Sequence, residues 1–328
     1  MKNLLAALLS LLVFNSASAA TTDETTSSFS APAHRVTFEF HSAFLMNLHH
    51  VLVDAAVHDG KLETLPWQEK PSAAEWQTLQ NAVTFYRDNY AKRSLLFDKT
   101  MTDIKVALSV DDTRRDATGL NLPPDLIAVL NSVAPIYARG LWSIQDRSNQ
   151  LWIQQAKSLD ALYGAEVQAG IEHYLQHGFP LTPVRDDVVV ETGDRRGAYT
   201  DEQTVLPSGR ADYSGLATLE MLYHEASHIN VTDTLSDAID ARLKATDRSD
   251  KFQLWHAVQF YTVGKVVQDV YKQRANLDYR PYADKNGVYQ RGWSIFVPSL
   301  NDIWLPYMNG KSTLQEAVTA MVDKLPAT

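Results

Sequence analysis

The residues of this chain best suited to chemistry are His224, Glu225 and His228, in the string His224-Glu225-Ala226-Ser227-His228. On an α-helix, residues four apart lie on one face, one turn apart. Two imidazoles so placed can each give a nitrogen to one Zn²⁺. Glu225 follows the first of them directly. There its carboxylate can reach a water activated by the metal and act as general base without being a ligand. A glutamate between two histidines on an otherwise apolar helix calls for such a partner, because burying a lone ionisable group is costly.

The neighbouring residues predict a helix. Ser214 is the expected N-cap, Leu216, Leu219 and Tyr223 recur at helical spacing, and Ala226 and Ser227 are small and uncharged. A catalytic zinc takes three protein ligands and keeps a position for water. After His228 the chain has no cysteine, one histidine (His256) and one glutamate (Glu316, near the C-terminus). Elimination therefore favours His256 as third ligand, with Asp233, Asp237 and Asp240 left as possible oxygen ligands. Phe252, His256, Phe260, Val263 and Val267 share one face of a second predicted helix, which turns His256 inward.

On this string and the long helix that follows, residues 214 to 265 resemble the zincin superfamily of zinc metallopeptidases. The arrangement is gluzincin-like, with histidine in place of the family's third-ligand glutamate. Val231 and Thr234 stand where the metzincin pattern needs glycine and histidine, and the aspzincin signature is absent. Asn230 stands where the extended pattern usually has an apolar residue. The resemblance implies His224 and His228 as ligands, Glu225 as base, and a small sheet whose edge holds an extended peptide. It also implies a donor for the tetrahedral oxyanion. Tyr261 is the candidate nearest His256 in sequence, although an ideal helix turns it roughly 140° away. Tyr279, Arg280, Tyr282 and Tyr289 are the others.

The rest of the chain must position these groups. Residues 1–19 read as a cleavable signal peptide, with Lys2, an apolar run from Leu4 to Phe14 and an Ala17-Ser18-Ala19 site. Residues 20–33, rich in Thr, Ser and Ala, read as a disordered leader. The remainder divides into a helical N-terminal part, 34–180, and a zincin-like catalytic part, 181–328. Without cysteine there is neither a disulfide nor a lipid-anchored cysteine, so a periplasmic or secreted protein held by packing alone is expected. A net charge of −9 argues against nucleic acid and anionic membrane as partners.

Helical patterns cover 42–57, 72–90, 124–138, 145–176 (one helix or two), 234–245, 252–274 and 312–324. Strand patterns are few: Val36–Phe40, Asp187–Thr192 and, more weakly, Thr204–Ser208. The expected fold is mainly α with a small β-sheet (α+β). His41, Asn47, His49 and His50 form a second polar cluster, which could wall the cleft or simply bond locally. The expectation is a monomeric, extracytoplasmic zinc metallopeptidase acting on a peptide or protein substrate, with no membrane anchor. The alternative is a zinc-binding scaffold of zincin fold without turnover.

Overall fold

Successive residues of a strand point to opposite faces, and that alternation organises this molecule around one small sheet. The computed structural model describes residues 29, 31–192 and 197–326. The expected signal peptide lies outside the described residues, as does most of the expected leader. Phe29 does not fit a disordered leader, because its ring packs on His173 and Tyr174 at 5.3 and 5.5 Å.

The protein is mainly α with a small mixed sheet. In chain order the main elements are β1 (Phe38–His41), α1 (Phe44–Val57), α2 (Ala73–Asn89), α3 (Lys99–Leu108), α4 (Pro124–Tyr137) and α5 (Ser143–Leu175). Then follow β2 (Val184–Val189), β3 (Tyr199–Thr200), β4 (Thr204–Pro207) and α6 (Ala217–Ser227). The chain ends with α7 (Asp233–Ala245), α8 (Leu254–Ala275) and α9 (Leu314–Lys324). Short helical turns fill 282–308. A π-helical turn, Ala138–Trp142, joins α4 to α5, three residues after Pro135, whose missing N–H disturbs the regular ladder.

The strand order is β1-β2-β4-β3, with β1, β2 and β4 parallel and β3 antiparallel at the edge. One face, carrying Val184, Val188 and Leu206, packs on Trp152 and Ile153 of α5 and Leu222 of α6 and joins the core under α8. The other face, carrying Val189, Tyr199 and Val205, packs on α1 to α4. In β3, Tyr199 therefore serves one core and Thr200 faces the other.

Several boundaries differ from those expected. β2 begins three residues early, at Val184, because its partner β1 aligns Phe38 with Val184. Ser214 does not cap α6. Leu216 holds the N-cap position, and the Ser214 hydroxyl donates to the carbonyl of Arg210 instead. Phe252 precedes α8 and is 55% exposed, so the buried stripe starts after it. A division at residue 180 does not separate two cores: β1 pairs with β2 across it, and α5 packs on both α6 and α8.

Candidate metal centre

His224 and Glu225 occupy the last turn of α6, and His228 is its C-cap. Asn230, two residues on, has φ +57°, a left-handed conformation that asparagine tolerates better than an apolar side chain would. The position takes a polar residue because the chain turns sharply there. His256 lies in the first turn of α8, which packs against α6.

The structure brings these three histidines together. His228 Nε2 lies 3.3 Å, and His256 Nε2 3.5 Å, from His224 Nε2. A tetrahedral ion with metal–nitrogen bonds of about 2.0–2.1 Å keeps its ligand nitrogens roughly 3.3–3.4 Å apart. One ligand atom from each histidine lies within 4.8 Å of the others, so the group could hold a metal ion. Burial disfavours the charged imidazolium, aided by the neighbouring rings. His224 is pushed well below the usual histidine range, His228 to about 4 and His256 to about 3. Three neutral rings with their Nε2 atoms gathered in this way have the donor set that could hold one cation.

Aromatic side chains fix the rings. Phe260 stacks on His224 at 3.6 Å, Trp255 stacks on His256 at 5.1 Å, and Trp293 meets His256 edge-on at 4.9 Å. Gln259 ties the two helices together by donating to the His224 carbonyl and the Ser227 hydroxyl at 3.1 and 2.7 Å. His224 Nδ1 and Gln259 Oε1 are buried without hydrogen-bond partners.

Glu225 is 4% exposed, and its carboxylate accepts a 2.8 Å bond from the Thr200 hydroxyl of edge strand β3. Burial pushes its pKa up to about 8, against the pull of that bond. Asp186 of β2 aligns with Thr204, and Thr204 with Thr200, in one row across this face. The Asp186 carboxyl is fully buried without a hydrogen-bond partner among the described residues and is held well above the carboxylate range by burial, then by Asp187 and Glu225. One turn before His224, Glu220 accepts from the Tyr279 hydroxyl and the Tyr282 amide and is pushed by burial to about 7.

The other candidate residues sit elsewhere. Tyr261 directs its hydroxyl to Asn301 at 3.4 Å, as its angular offset from His256 on the helix requires. Tyr279 and Tyr282 commit their hydroxyls to Glu220 and Asp212, and Arg280 donates to the Asp284 carbonyl. Asp237 is exposed and Asp240 pairs with Lys244, so neither joins the histidines. His41 pairs with Asp112, and Asn47 bonds the backbone of α1 and β2. Reasoning from sequence missed Thr200, Gln259 and the aromatic wall. Two of these had a readable signal: Gln259, three residues from His256, and Phe260, four residues on and already placed on the same helix face.

No protein-family model, curated protein or solved structure matches this chain. What the site can do rests on its own chemistry.

Proposed function

We propose that the protein is a zinc-dependent metallohydrolase that cleaves peptide bonds, with His224, His228 and His256 as ligands and Glu225 as general base. The observation that carries this reading is the convergence of three imidazole nitrogens, two of them 3.3 and 3.5 Å from the third, beside a buried glutamate. Zn²⁺ bound there would supply a Lewis acid for a carbonyl oxygen and make water more acidic.

The chain's own residues do the rest. Glu225, protonated by burial near neutral pH, becomes a base once a cation neighbours it. Its carboxylate then accepts a proton from the attacking water and delivers it to the leaving nitrogen as the C–N bond breaks. Thr200 holds that carboxylate in place. Thr200 belongs to the outer strand of the sheet, so an extended peptide pairing with this edge would run past Glu225, which favours a peptide substrate. Residues 1–19 support a periplasmic or secreted setting.

The test compares wild type with Glu225→Gln on a peptide mixture analysed by mass spectrometry, with metal content measured on both. Cleavage by wild type alone, at about one zinc per chain in both proteins, supports the reading. Equal cleavage by both removes Glu225 from the mechanism, and a zinc-loaded wild type that cleaves nothing removes the peptidase.

A further inference from the structure

A cavity of about 240 Å³ opens beside the histidines between α7 and the start of α8, lined by Asp237, Ile239, Asp240, Leu243, Phe252 and Trp255. Trp255 is common to both places: its ring stacks on His256 and meets His228 edge-on at 5.7 Å. A group in this cavity is thus one indole ring away from the metal ligands. Whole-ligand pockets run to about 300–1,000 Å³, so this one has room for a single side chain.

The lining is divided by chemistry. Ile239 and Leu243 are fully buried at the floor, and Phe252, at 55% exposure, presents an aromatic surface to solvent. At the rim stand two carboxylates one turn apart on α7. Asp240 shares its charge with Lys244, while Asp237 makes no salt bridge among the described residues. Lys251, next to Phe252 in the chain, is engaged by Asp250. With two carboxylates against the one ammonium of Lys244, the rim keeps a negative excess over an apolar floor. That combination fits a long aliphatic stem that ends in a cation, which lays its methylenes on the floor and keeps its head at the edge. An arginine head can also lie on the exposed aromatic rings.

We infer that this cavity is a specificity subsite for a lysine or arginine side chain of the substrate, close to the bond that is cut. The inference rests on the peptidase reading above. The substrates it selects are peptides with a basic residue within a residue or two of the scissile bond.

The experiment uses zinc-loaded protein and synthetic peptides that differ only by Arg, Lys, Gln or norleucine at one position on either side of the cut. Arg and Lys peptides should exceed the Gln peptide about three- to tenfold in kcat/KM at low salt, the range expected of two partly exposed charge contacts. Raised ionic strength should shrink that preference. The double variant Asp237→Asn/Asp240→Asn should bring the ratio close to one with its zinc content intact, and Asp237→Lys/Asp240→Lys should invert it toward Glu peptides. Cleavage without a basic preference, or a preference that survives the double Asn variant, overturns the subsite and leaves the peptidase standing. A zinc-loaded wild type that cleaves none of the peptides overturns both.

Discussion

Two histidine groups lie on opposite faces of the sheet, His49 and His50 fully buried, His224 buried and His228 and His256 partly so, and they share ring geometry and electrostatics. His224 and His228 sit nearly perpendicular at 4.9 Å between ring centroids, and His49 and His50 do so at 5.6 Å. Burial lowers the pKa in both groups, with His50 at about 4 just as His228 is. The difference lies in where the nitrogens point. His50 gives one to the Met46 carbonyl and one to the Tyr199 hydroxyl, both at 2.8 Å, and His49 gives Nδ1 to the Tyr86 hydroxyl at 3.0 Å. Across the sheet the Nε2 atoms face one another. Proximity and a depressed pKa are signs of burial, whereas convergence on a common point is the sign of a ligand set.

The largest test of this contrast removes metal from one group only. His228→Ala or His256→Ala should weaken zinc binding by more than about 100-fold and abolish hydrolysis, since loss of a ligand exceeds the 10–100-fold typical of an outer partner. His49→Ala and His50→Ala should keep full zinc by elemental analysis while lowering Tm. Loss of zinc from His50→Ala would erase the distinction.

Next comes Glu225→Gln, which should retain zinc and lose about 10²–10⁴ in kcat, the usual worth of a positioned base.

The third test addresses the far face. Lys105 of α3 is fully buried, its ammonium has no hydrogen-bond partner, and it lies 4.5 Å from the centre of the Tyr199 ring. Burial lowers its pKa from 10.5 to about 8. The folded chain therefore holds fewer protons than the unfolded chain between those values, and stability rises with pH across that window. The burden is greatest below about 8 and vanishes above about 10.5. Lys105→Met should raise stability on the order of 3–4 kcal/mol at pH 7, at roughly 1.4 kcal/mol for each pH unit between 8 and 10.5, and change little at pH 10.5. Denaturant unfolding at the two pH values measures this, and a loss of stability at pH 7 would mean that the ammonium is better satisfied than its surroundings indicate.

The smallest expected effect is that of Gln259→Ala. Releasing the His224 carbonyl should weaken zinc about tenfold by competition with a chelator, without changing the far core.

Much of this contrast was legible in the sequence. The two-histidine string and the lone downstream histidine stood out because metal ligation forces residue types into fixed spacings. Long helices such as α5 and α8 declared themselves by period. α3 did not, because Met101, Ile104, Lys105 and Leu108 form its buried face and a lysine there breaks the apolar pattern. Thr200 was illegible for another reason. A two-residue strand has no period, and the partner of Glu225 is decided by sheet order, which no local pattern encodes. The neutral surroundings of His49 and His50 depended likewise on Tyr86 and Tyr199, brought in from 37 and 149 residues away.

The 33 residues of α5 extend about 50 Å, and together with the shared sheet they bind the two cores into one thermodynamic unit. Its π-turn leads out of the core of α1 to α4, Trp152 lies under the sheet, and Val167 and Ile171 belong to the core of α8. Melting either core would strip α5 and the sheet of packing they share with the other, so coupled unfolding of the two is the expected outcome of a calorimetric scan. An ion held by α6 and α8 would then stabilise helices it never touches: under the zinc proposal, free zinc at about a thousand times Kd would add about 4 kcal/mol to the coupled cores, the one around His49 included.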